Sequence, residues 1–398
     1  MTIHKSTDKL LSMIENARQG NTASIPIGHN KLSNFIYLAK NMYHYIAGAG
    51  GSGKSGWIDL LYIFMVYEWY EREGKYTGVK PKIILRSLER SKELRQAKWI
   101  CLYLYRQHGI LMDVAYLLGF GEKKSRVSDE LFELIKQAKD WIDKMSDTVT
   151  LIGGVDNPTG IWLQARDYME SIGTYYRYQD IDNKSTLIKR RDKKVFKADP
   201  KECPEATKYQ DIYIPDDPST IVIHINDHLK AMSSERGFND KQLLDKMSEY
   251  NRKLRDLYGC AIVAVNQLNR NISDTTRRVK TELLPEDSDF AGSSNLFYDC
   301  DMAMILFNPY KYNIKDLKEY KISLCLSEEG INRFRSAHVL KNTYGGDNFI
   351  FGYQFIGEVG MFRELPPPNK LDSNSYYNIA NPRYKQKFKK ETYADTTP

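Results

Sequence analysis

Short apolar runs rich in β-branched residues alternate with longer amphipathic segments through most of this chain. The runs fall at 43–47, 82–87, 148–152, 220–225, 261–265 and 302–307. Helix-compatible segments lie between several of them, and Asn157-Pro158-Thr159 is typical of a helix start. Strands that are apolar on both faces and separated by helices form largely parallel sheets. The pattern therefore predicts an α/β fold with a largely parallel central sheet flanked by helices.

The first residues of the chain do not follow this alternation. Residues 5–18 carry helix-spaced apolar side chains, namely Leu10, Leu11, Met13, Ile14 and Ala17. A stripe this short cannot form its own core, and isolated helices of this length are marginal in water. We therefore predict that residues 1–20 form an interface helix that packs against a neighbouring subunit, and that residues 21–365 form the α/β domain.

Two basic segments also stand apart. Residues 174–216 interrupt the α/β pattern as an insertion that contains a run of cations at 189–194. Such a run could contact nucleic acid, but charge runs are more often solvated surface, and we favour that second interpretation. Residues 366–398 begin with three prolines, are basic and have little to bury, which predicts a disordered tail.

The composition is that of a folded protein of the cell interior. Of the 398 residues, 41% are hydrophobic and 27% are charged, and the formal net charge of +7 permits nucleic-acid binding without demonstrating it. Five scattered cysteines without a C-x-x-C pair argue against a disulfide framework and a zinc site. No stretch approaches the ~20 apolar residues of a membrane helix. We expect a soluble cytoplasmic protein with no membrane partner.

Residues 48–55 read Gly-Ala-Gly-Gly-Ser-Gly-Lys-Ser, which matches the phosphate-binding pattern G-x-x-x-x-G-K-[ST]. A predicted strand precedes this loop and a predicted helix follows it, so backbone N–H groups can converge on a phosphate. Lys54 would reach the β- and γ-phosphates, and the Ser55 hydroxyl would hold Mg²⁺. The sequence thus predicts an ATP and Mg²⁺ site formed by Gly48, Gly50, Gly51, Ser52, Gly53, Lys54 and Ser55.

Three further polar residues lie where predicted strands end. Asp227 follows the run 220–225, at the edge where open parallel sheets bind ligands, and is our candidate metal-side acid. Glu89 follows the second strand and could act as the general base on water, or could equally be a helix N-terminal acid. Gln267 follows the run 261–265, where a neutral amide can bond the γ-phosphate and report its loss.

These elements resemble the successive motifs of the DnaB-like replicative helicases. The resemblance rests on Leu88-Glu89, on Asp227-His228-Leu229, on Asn266-Gln267-Leu268-Asn269-Arg270 and on the Gly-Ser-Ser segment at 292–294. The motifs occur in the family's order between about residues 24 and 363. The resemblance implies a RecA-type P-loop ATPase core assembled as a ring, usually a hexamer, with ATP between subunits and single-stranded DNA in the pore. It also implies that Glu89 is the catalytic glutamate, Asp227 the Walker B acid and Gln267 the sensor, and that primase or a helicase loader is a partner.

The DNA-facing loops of that family follow the Walker B strand and the glutamine strand. Here these loops correspond to residues 233–241 and 271–280. Both carry cations, as contacts to phosphates require, although surface loops carry cations in any case. The candidate DNA-binding residues are Arg236, Lys241, Arg270, Arg277, Arg278 and Lys280.

The sequence departs from the family pattern in two places. Cellular members have a separate N-terminal domain that engages primase, whereas this chain has a short helix before its core, which suggests a single-domain version of the kind that phages and mobile elements encode. The family also has Lys-x-Arg on a late strand that reaches the neighbour's ATP, but the matching residues here are Lys341-Asn342-Thr343. Lys341 is our candidate for the cation supplied in trans, with Arg335 in reserve.

Two functions fit this pattern. The first is an ATP-driven replicative helicase that forms a ring, translocates on single-stranded DNA and unwinds duplex DNA. The second is a RecA-like DNA-binding ATPase, of recombinase or regulatory type, that does not unwind. Thr343 stands where the family has the arginine that reaches the neighbour's ATP, and this favours the second function. The motif order and the loop cations favour the first function.

Overall fold

The phosphate-binding loop follows the middle strand of a nine-stranded sheet. The structure is a computed structural model, and it describes residues 3–19, 24–28, 31–120, 127–181, 183–191, 194–204, 206, 210–269, 272, 283–290, 292 and 294–388. The strands are, in chain order, β1 (Ser24–Pro26), β2 (Tyr37–Ala39), β3 (Tyr43–Gly48), β4 (Lys80–Ser87), β5 (Ile110–Met112), β6 (Val149–Gly153), β7 (Gly173–Ile181), β8 (Lys184–Arg191), β9 (Lys194–Lys197), β10 (Ile212–Pro215), β11 (Thr220–Asp227), β12 (Ala261–Gln267), β13 (Met302–Phe307), β14 (Asp316–Leu317), β15 (Tyr320–Lys321), β16 (Phe334–Asn342), β17 (Phe349–Ile356), β18 (Met361–Glu364) and β19 (Gln386–Phe388).

The helices lie mostly between the strands, as the alternation predicts. They are, in chain order, α1 (Ile3–Arg18), α2 (Lys54–Trp57), α3 (Met65–Trp69), α4 (Lys75–Thr77), α5 (Lys92–His108), α6 (Val114–Leu117), α7 (Asp129–Lys144), α8 (Pro158–Ser171), α9 (Asp240–Tyr258), α10 (Ser294–Asp299) and α11 (Ser373–Ala380). The π-helical segments Ile58–Phe64 and Tyr70–Gly74 join α2, α3 and α4 into one helical run. The predicted helix start at Asn157 is confirmed, because its side chain accepts the N–H of Gly160 at 2.8 Å.

The central sheet is mixed but mostly parallel. Its order is β18–β17–β16–β13–β3–β12–β11–β4–β6. The six strands from β13 to β6 run parallel, and they correspond to the six apolar runs that the sequence indicates. The other three strands, β16 to β18, are added antiparallel at one edge. The predicted α/β fold is thereby confirmed.

Helices cover both faces of this sheet. On one face the helical run from α2 to α4 packs with α5 and α7, and Trp57, Leu61 and Trp99 are among its buried side chains. On the other face α8, α9 and α10 pack against the sheet. Each strand between them is apolar on both sides, which is why these strands appear in the sequence as continuous apolar runs.

The insertion at 174–216 forms a separate antiparallel sheet in the order β10–β7–β8–β9. Three of its cations are paired with nearby acids. The pairs are Arg177 with Asp211 at 2.7 Å, Arg191 with Asp216 at 3.0 Å and Lys189 with Glu202 at 3.6 Å. Pairing of this kind neutralises charge locally. It therefore supports the interpretation that the basic run is solvated surface and does not contact nucleic acid.

The end of the chain differs from the sequence-based expectation. The prediction of disorder for 366–398 is wrong for residues 366–388, because α11 and β19 lie in that range. Tyr376 and Ile379 of α11 are buried in a small apolar cluster with Tyr320, and β19 pairs in parallel with β5. Residues 389–398 lie outside the described residues.

The N-terminal helix α1 is confirmed, and its apolar stripe faces solvent. Leu10, Leu11, Met13 and Ile14 keep 47–58% of their surface exposed. Side chains of this kind are normally covered in the assembled protein.

Of the helices in the described residues, none is both long and apolar enough to cross a membrane.

Candidate nucleotide site

The phosphate-binding loop needs glycine at two positions in particular. Gly53, which precedes the first helical residue Lys54, has φ +96°, and a Cβ there would lie 2.6 Å from an atom of the Phe362 ring. A Cβ on Gly48 would lie 2.4 Å from the Ser52 hydroxyl oxygen and 2.8 Å from the Leu306 carbonyl oxygen. Packing against β13 and β18 therefore holds the loop in the tight form that phosphate binding requires.

Lys54 lies over its own loop. Its Nζ donates to the carbonyl oxygens of Gly48 at 2.7 Å and of Ala49 at 3.3 Å. Burial lowers the pKa of Lys54 below its usual value, while the carboxylates of Asp227 and Glu89 act in the opposite direction. The Lys54 ammonium therefore lies at the loop, where a bound phosphate would complement its charge.

One cavity of about 290 Å³ brings the predicted residues together. The predicted residues that line it are Gly50, Gly51, Gly53, Lys54, Ser55, Glu89, Asp227 and Gln267. They meet because parallel strands end at the same edge of the sheet, and Asp227 pairs in register with Ser87 of β4 and Val265 of β12. Two predicted loop residues, Gly48 and Ser52, lie beneath this surface, where both are buried.

The donors in this cavity fit Mg²⁺ with a nucleotide. Mg²⁺ is usually held by one or two carboxylates together with phosphate oxygens and waters, and Ser55 and Asp227 offer one hydroxyl and one carboxylate. Among the described residues, no group of three or more His, Cys, Asp or Glu side chains could hold a metal by itself. The site is therefore suited to a metal that shares its ligands with a phosphate.

Four charged residues that line this cavity belong to none of the predicted motifs, namely Asp59, Arg90, Arg95 and Lys98. Arg95 of α5 donates through Nη1 to Asp227 Oδ2 at 2.8 Å and through Nε to Asp59 Oδ1 at 2.8 Å. Although burial opposes it, the two carboxylates raise the pKa of Arg95 above its usual value, so the guanidinium is charged. The sequence contains one indication of this buried pair, because Asp59 is an acid inside the otherwise apolar run from Trp57 to Phe64.

The two candidate trans cations occupy different places. Arg335 is 8% exposed, and its Nη2 donates to the carbonyl oxygen of Gly51 at 3.4 Å, so it lies beside the phosphate loop of its own chain. Burial lowers the pKa of Arg335 to about 10, and Arg333 adds to the shift. Lys341 donates to the carbonyl oxygens of Phe297 and Tyr298 near the end of α10, at 3.0 and 2.9 Å. Neither side chain lines the cavity.

Two of the six candidate DNA-binding residues lie in the described part of the chain. Arg236 and Lys241 are exposed on either side of Asn239, which caps α9 through a capping box with Gln242. Lys246 and Thr159 both donate to Glu235, which fixes the base of this loop. The remaining candidates, Arg270, Arg277, Arg278 and Lys280, fall outside the described residues.

Comparison with known proteins identifies the fold. No protein-family model and no curated protein matches the sequence. Among solved structures, the ATPase domain of a phage helicase matches with a TM-score of 0.59 and 16% identity, over 92% of this chain and 99% of that domain. A DnaB-like replicative helicase, described with its interactions with primase, matches with a TM-score of 0.59 and 15% identity, over 92% of this chain and 69% of the other.

These matches cover nearly the whole chain, and at such low identity they establish the fold. They agree with the RecA-type fold that the motif order predicts. The chain therefore has the RecA-like fold of the ATPase domains found in DnaB-like helicases.

Proposed function

We propose that this protein is an ATP-dependent, ring-forming replicative DNA helicase that moves along single-stranded DNA. The observation that carries the proposal is the single cavity at the carboxyl edge of the sheet, which is lined by Lys54, Ser55, Glu89, Asp227 and Gln267. A phosphate loop, a strand-end acid, a water-polarising carboxylate and a sensing amide are the parts that a phosphoryl-transfer ATPase needs.

Each of these side chains has a distinct role in the proposal. The loop N–H groups and Lys54 bind the phosphates, and Lys54 leaves the carbonyls of Gly48 and Ala49 to do so. Glu89 accepts the proton of the attacking water. Gln267 bonds the γ-phosphoryl group and responds to its loss. Mg²⁺, held by Ser55 and Asp227, would neutralise charge on the phosphates.

DNA contact is proposed at the two loops that follow these strands in the chain. β11 ends at Asp227, and the short 3₁₀ turn Leu229–Ala231 leads from it to the loop with Arg236; β12 ends at Gln267, three residues before residue 270. A change at the γ-phosphate thus has a short covalent path to each loop. Binding should weaken with salt in proportion to the phosphates neutralised by Arg236, Lys241 and the cations of the second loop.

Assembly into a ring, of hexameric size by analogy, is proposed to involve α1. Replacing Leu11 and Ile14 by serine, or deleting residues 1–20, should shift the particle to smaller species, because these side chains are exposed in the isolated chain. Light scattering measures the mass, and the paired replacement of Asp8 and Glu15 by Asn and Gln on the same helix is the control. An unchanged mass distribution in the serine variant would exclude this role for α1.

Lys341 is proposed to act on the neighbour's ATP. Lys341→Ala should reduce ATP turnover by about 10³-fold, since a cation supplied in trans is worth at least that in related enzymes. Mixing this variant with Lys54→Ala subunits should restore activity at interfaces where an intact Lys54 meets an intact Lys341. If Lys341 only supports α10 through its bonds to Phe297 and Tyr298, mixing would restore nothing.

A forked-duplex assay tests the function itself. We expect ATP hydrolysis that single-stranded DNA stimulates, together with displacement of one strand. Hydrolysis without displacement would favour the alternative, a RecA-like DNA-binding ATPase of recombinase or regulatory type, which Thr343 at the arginine position favours. Primase or a helicase loader are the proposed partners, and a change in unwinding rate on their addition would test that.

A further inference from the structure

Arg95 lies between two buried carboxylates at the metal side of the cavity. The side chains of Arg95 and Asp59 are each 4% exposed, and that of Asp227 is 6% exposed. The guanidinium makes its closest contacts with Asp59, where Nε and Nη2 lie 2.8 and 2.7 Å from Oδ1. One group, Nη1, reaches Asp227 Oδ2 at 2.8 Å. The guanidinium thus donates one hydrogen bond to each carboxylate, through Nε to Asp59 and through Nη1 to Asp227, while Nη2 lies close to Asp59 without hydrogen-bond geometry.

This arrangement leaves part of Asp227 available. Among the described residues, no hydrogen bond is formed with Asp227 Oδ1, although the side chain lines the cavity. A carboxylate held through one oxygen keeps its orientation and can use the other oxygen toward a ligand. Arg95 can therefore stay in place when a metal binds.

The positive charge of Arg95 also affects how strongly this cluster attracts a metal ion. Burial raises the pKa of Asp59 above its usual value, and the Arg95 guanidinium acts in the opposite direction; with both carboxylates ionised, Asp59, Asp227 and Arg95 together carry one net negative charge. Without the guanidinium, two carboxylates would face each other in a buried site, and Glu89 lines the same cavity. Adjacent buried carboxylates repel and attract either a proton or a cation. Carboxylate oxygens are also the ligands that divalent metals such as Mg²⁺ and Mn²⁺ prefer.

We propose that Arg95 is a positioning residue that keeps free divalent metal out of the nucleotide-free site and holds Asp227 ready, so that metal enters together with the nucleotide. Asp59 is the counter-carboxylate that keeps Arg95 from binding Asp227 alone. The proposal rests on the proposed role of Asp227 as the metal-side acid.

Manganese binding to the nucleotide-free protein tests this inference. In an electron paramagnetic resonance titration, the parent should bind little Mn²⁺, and Arg95→Gln should bind at least one ion per chain. The double variant Arg95→Gln/Asp59→Asn should lose that binding again, because the second carboxylate is gone. No bound Mn²⁺ in Arg95→Gln, or equal binding in the double variant, would overturn the proposal.

Thermal unfolding separates this role from simple structural support. Mg²⁺ without nucleotide should raise the melting temperature of Arg95→Gln but not of the parent or of Arg95→Lys, which keeps the charge. A bound metal stabilises the folded form by mass action, whereas a lost ion pair lowers stability at every Mg²⁺ concentration. Equal responses to Mg²⁺ in all three proteins would contradict the proposal.

A second variant serves if Arg95→Gln does not fold. Asp59→Asn preserves shape and leaves Arg95 paired with Asp227 alone, so the metal must compete with a full ion pair. The measurement is the binding of a fluorescent ATP analogue at increasing Mg²⁺. The Mg²⁺ concentration that gives half-maximal binding should rise at least about threefold. An unchanged Mg²⁺ requirement would contradict the proposal. Failure of the parent to bind the analogue at all would instead refute the proposed ATPase function.

Discussion

Lys54→Ala is expected to abolish ATP turnover while leaving the protein folded. The ammonium is a point charge that the phosphates need, whereas the sheet does not depend on it. Its bonds to the carbonyl oxygens of Gly48 and Ala49 contribute about 1.5–3 kcal/mol each at most, and the cost of burying the ammonium, which the variant no longer has, offsets this loss. Loss of a preorganised cation at the reacting phosphates should slow hydrolysis by about 10²–10³-fold or more.

A second lysine beside the same loop provides the matched control. Lys311 donates through Nζ to the carbonyl oxygen of Gly50 at 3.3 Å, but it does not line the cavity. Lys311→Ala should therefore have a far smaller effect on turnover. Steady-state ATPase rates on variants with parental melting temperatures make the comparison. A folded Lys54→Ala protein with the parental rate would show that this loop is not the ATP site.

Glu89→Gln is expected to keep nucleotide binding and lose hydrolysis. The amide keeps the shape of the side chain but cannot accept the proton of the attacking water, which is the role of a general base. Glu89 lies just past the end of β4, is exposed, and lines the cavity beside Asp227. Loss of a general base typically costs about 10²–10⁴-fold in rate, with little change in the affinity for a fluorescent ATP analogue.

The competing interpretation, a helix N-terminal acid, is tested with Glu93→Gln. Glu93 lies in the first turn of α5, where the helix dipole stabilises a negative charge. If Glu89 acts in this way, both variants should lose a little stability and keep their ATPase rate. Loss of nucleotide binding in Glu89→Gln would indicate a structural role, and loss of hydrolysis in Glu89→Gln alone would support the catalytic one.

The features that could be predicted from the sequence are those that depend on local pattern. The six parallel strands appear as apolar runs because burial on both faces leaves no polar alternation. The loop at 48–55 could be identified because phosphate binding requires glycines, a lysine and a serine at fixed spacing. Asp227 and Gln267 could be placed at one edge because parallel strands bring their carboxyl ends together. The fold and most of the cavity follow from such rules.

Other features depended on long-range pairing, which local pattern does not encode. The antiparallel strands β16 to β18 and the docking of α11 and β19 arise from contacts between distant segments, so a basic, proline-led tail was mistaken for disorder. Arg335 could be placed beside its own phosphate loop, and Lys341 against α10, only once the sheet edge was assembled.

The cluster of Asp59, Arg95 and Asp227 is the clearest case of this kind. Its members come from α2's helical run, α5 and β11, and no spacing rule links positions 36 and 132 residues apart. A buried charge is stable only when an opposite charge reaches it, and that requirement is satisfied in three dimensions. The fold and the phosphate loop can therefore be predicted from local pattern, whereas the cation that accompanies the metal-side acid is set by the packing of α5 against β11 and the helical run after the loop.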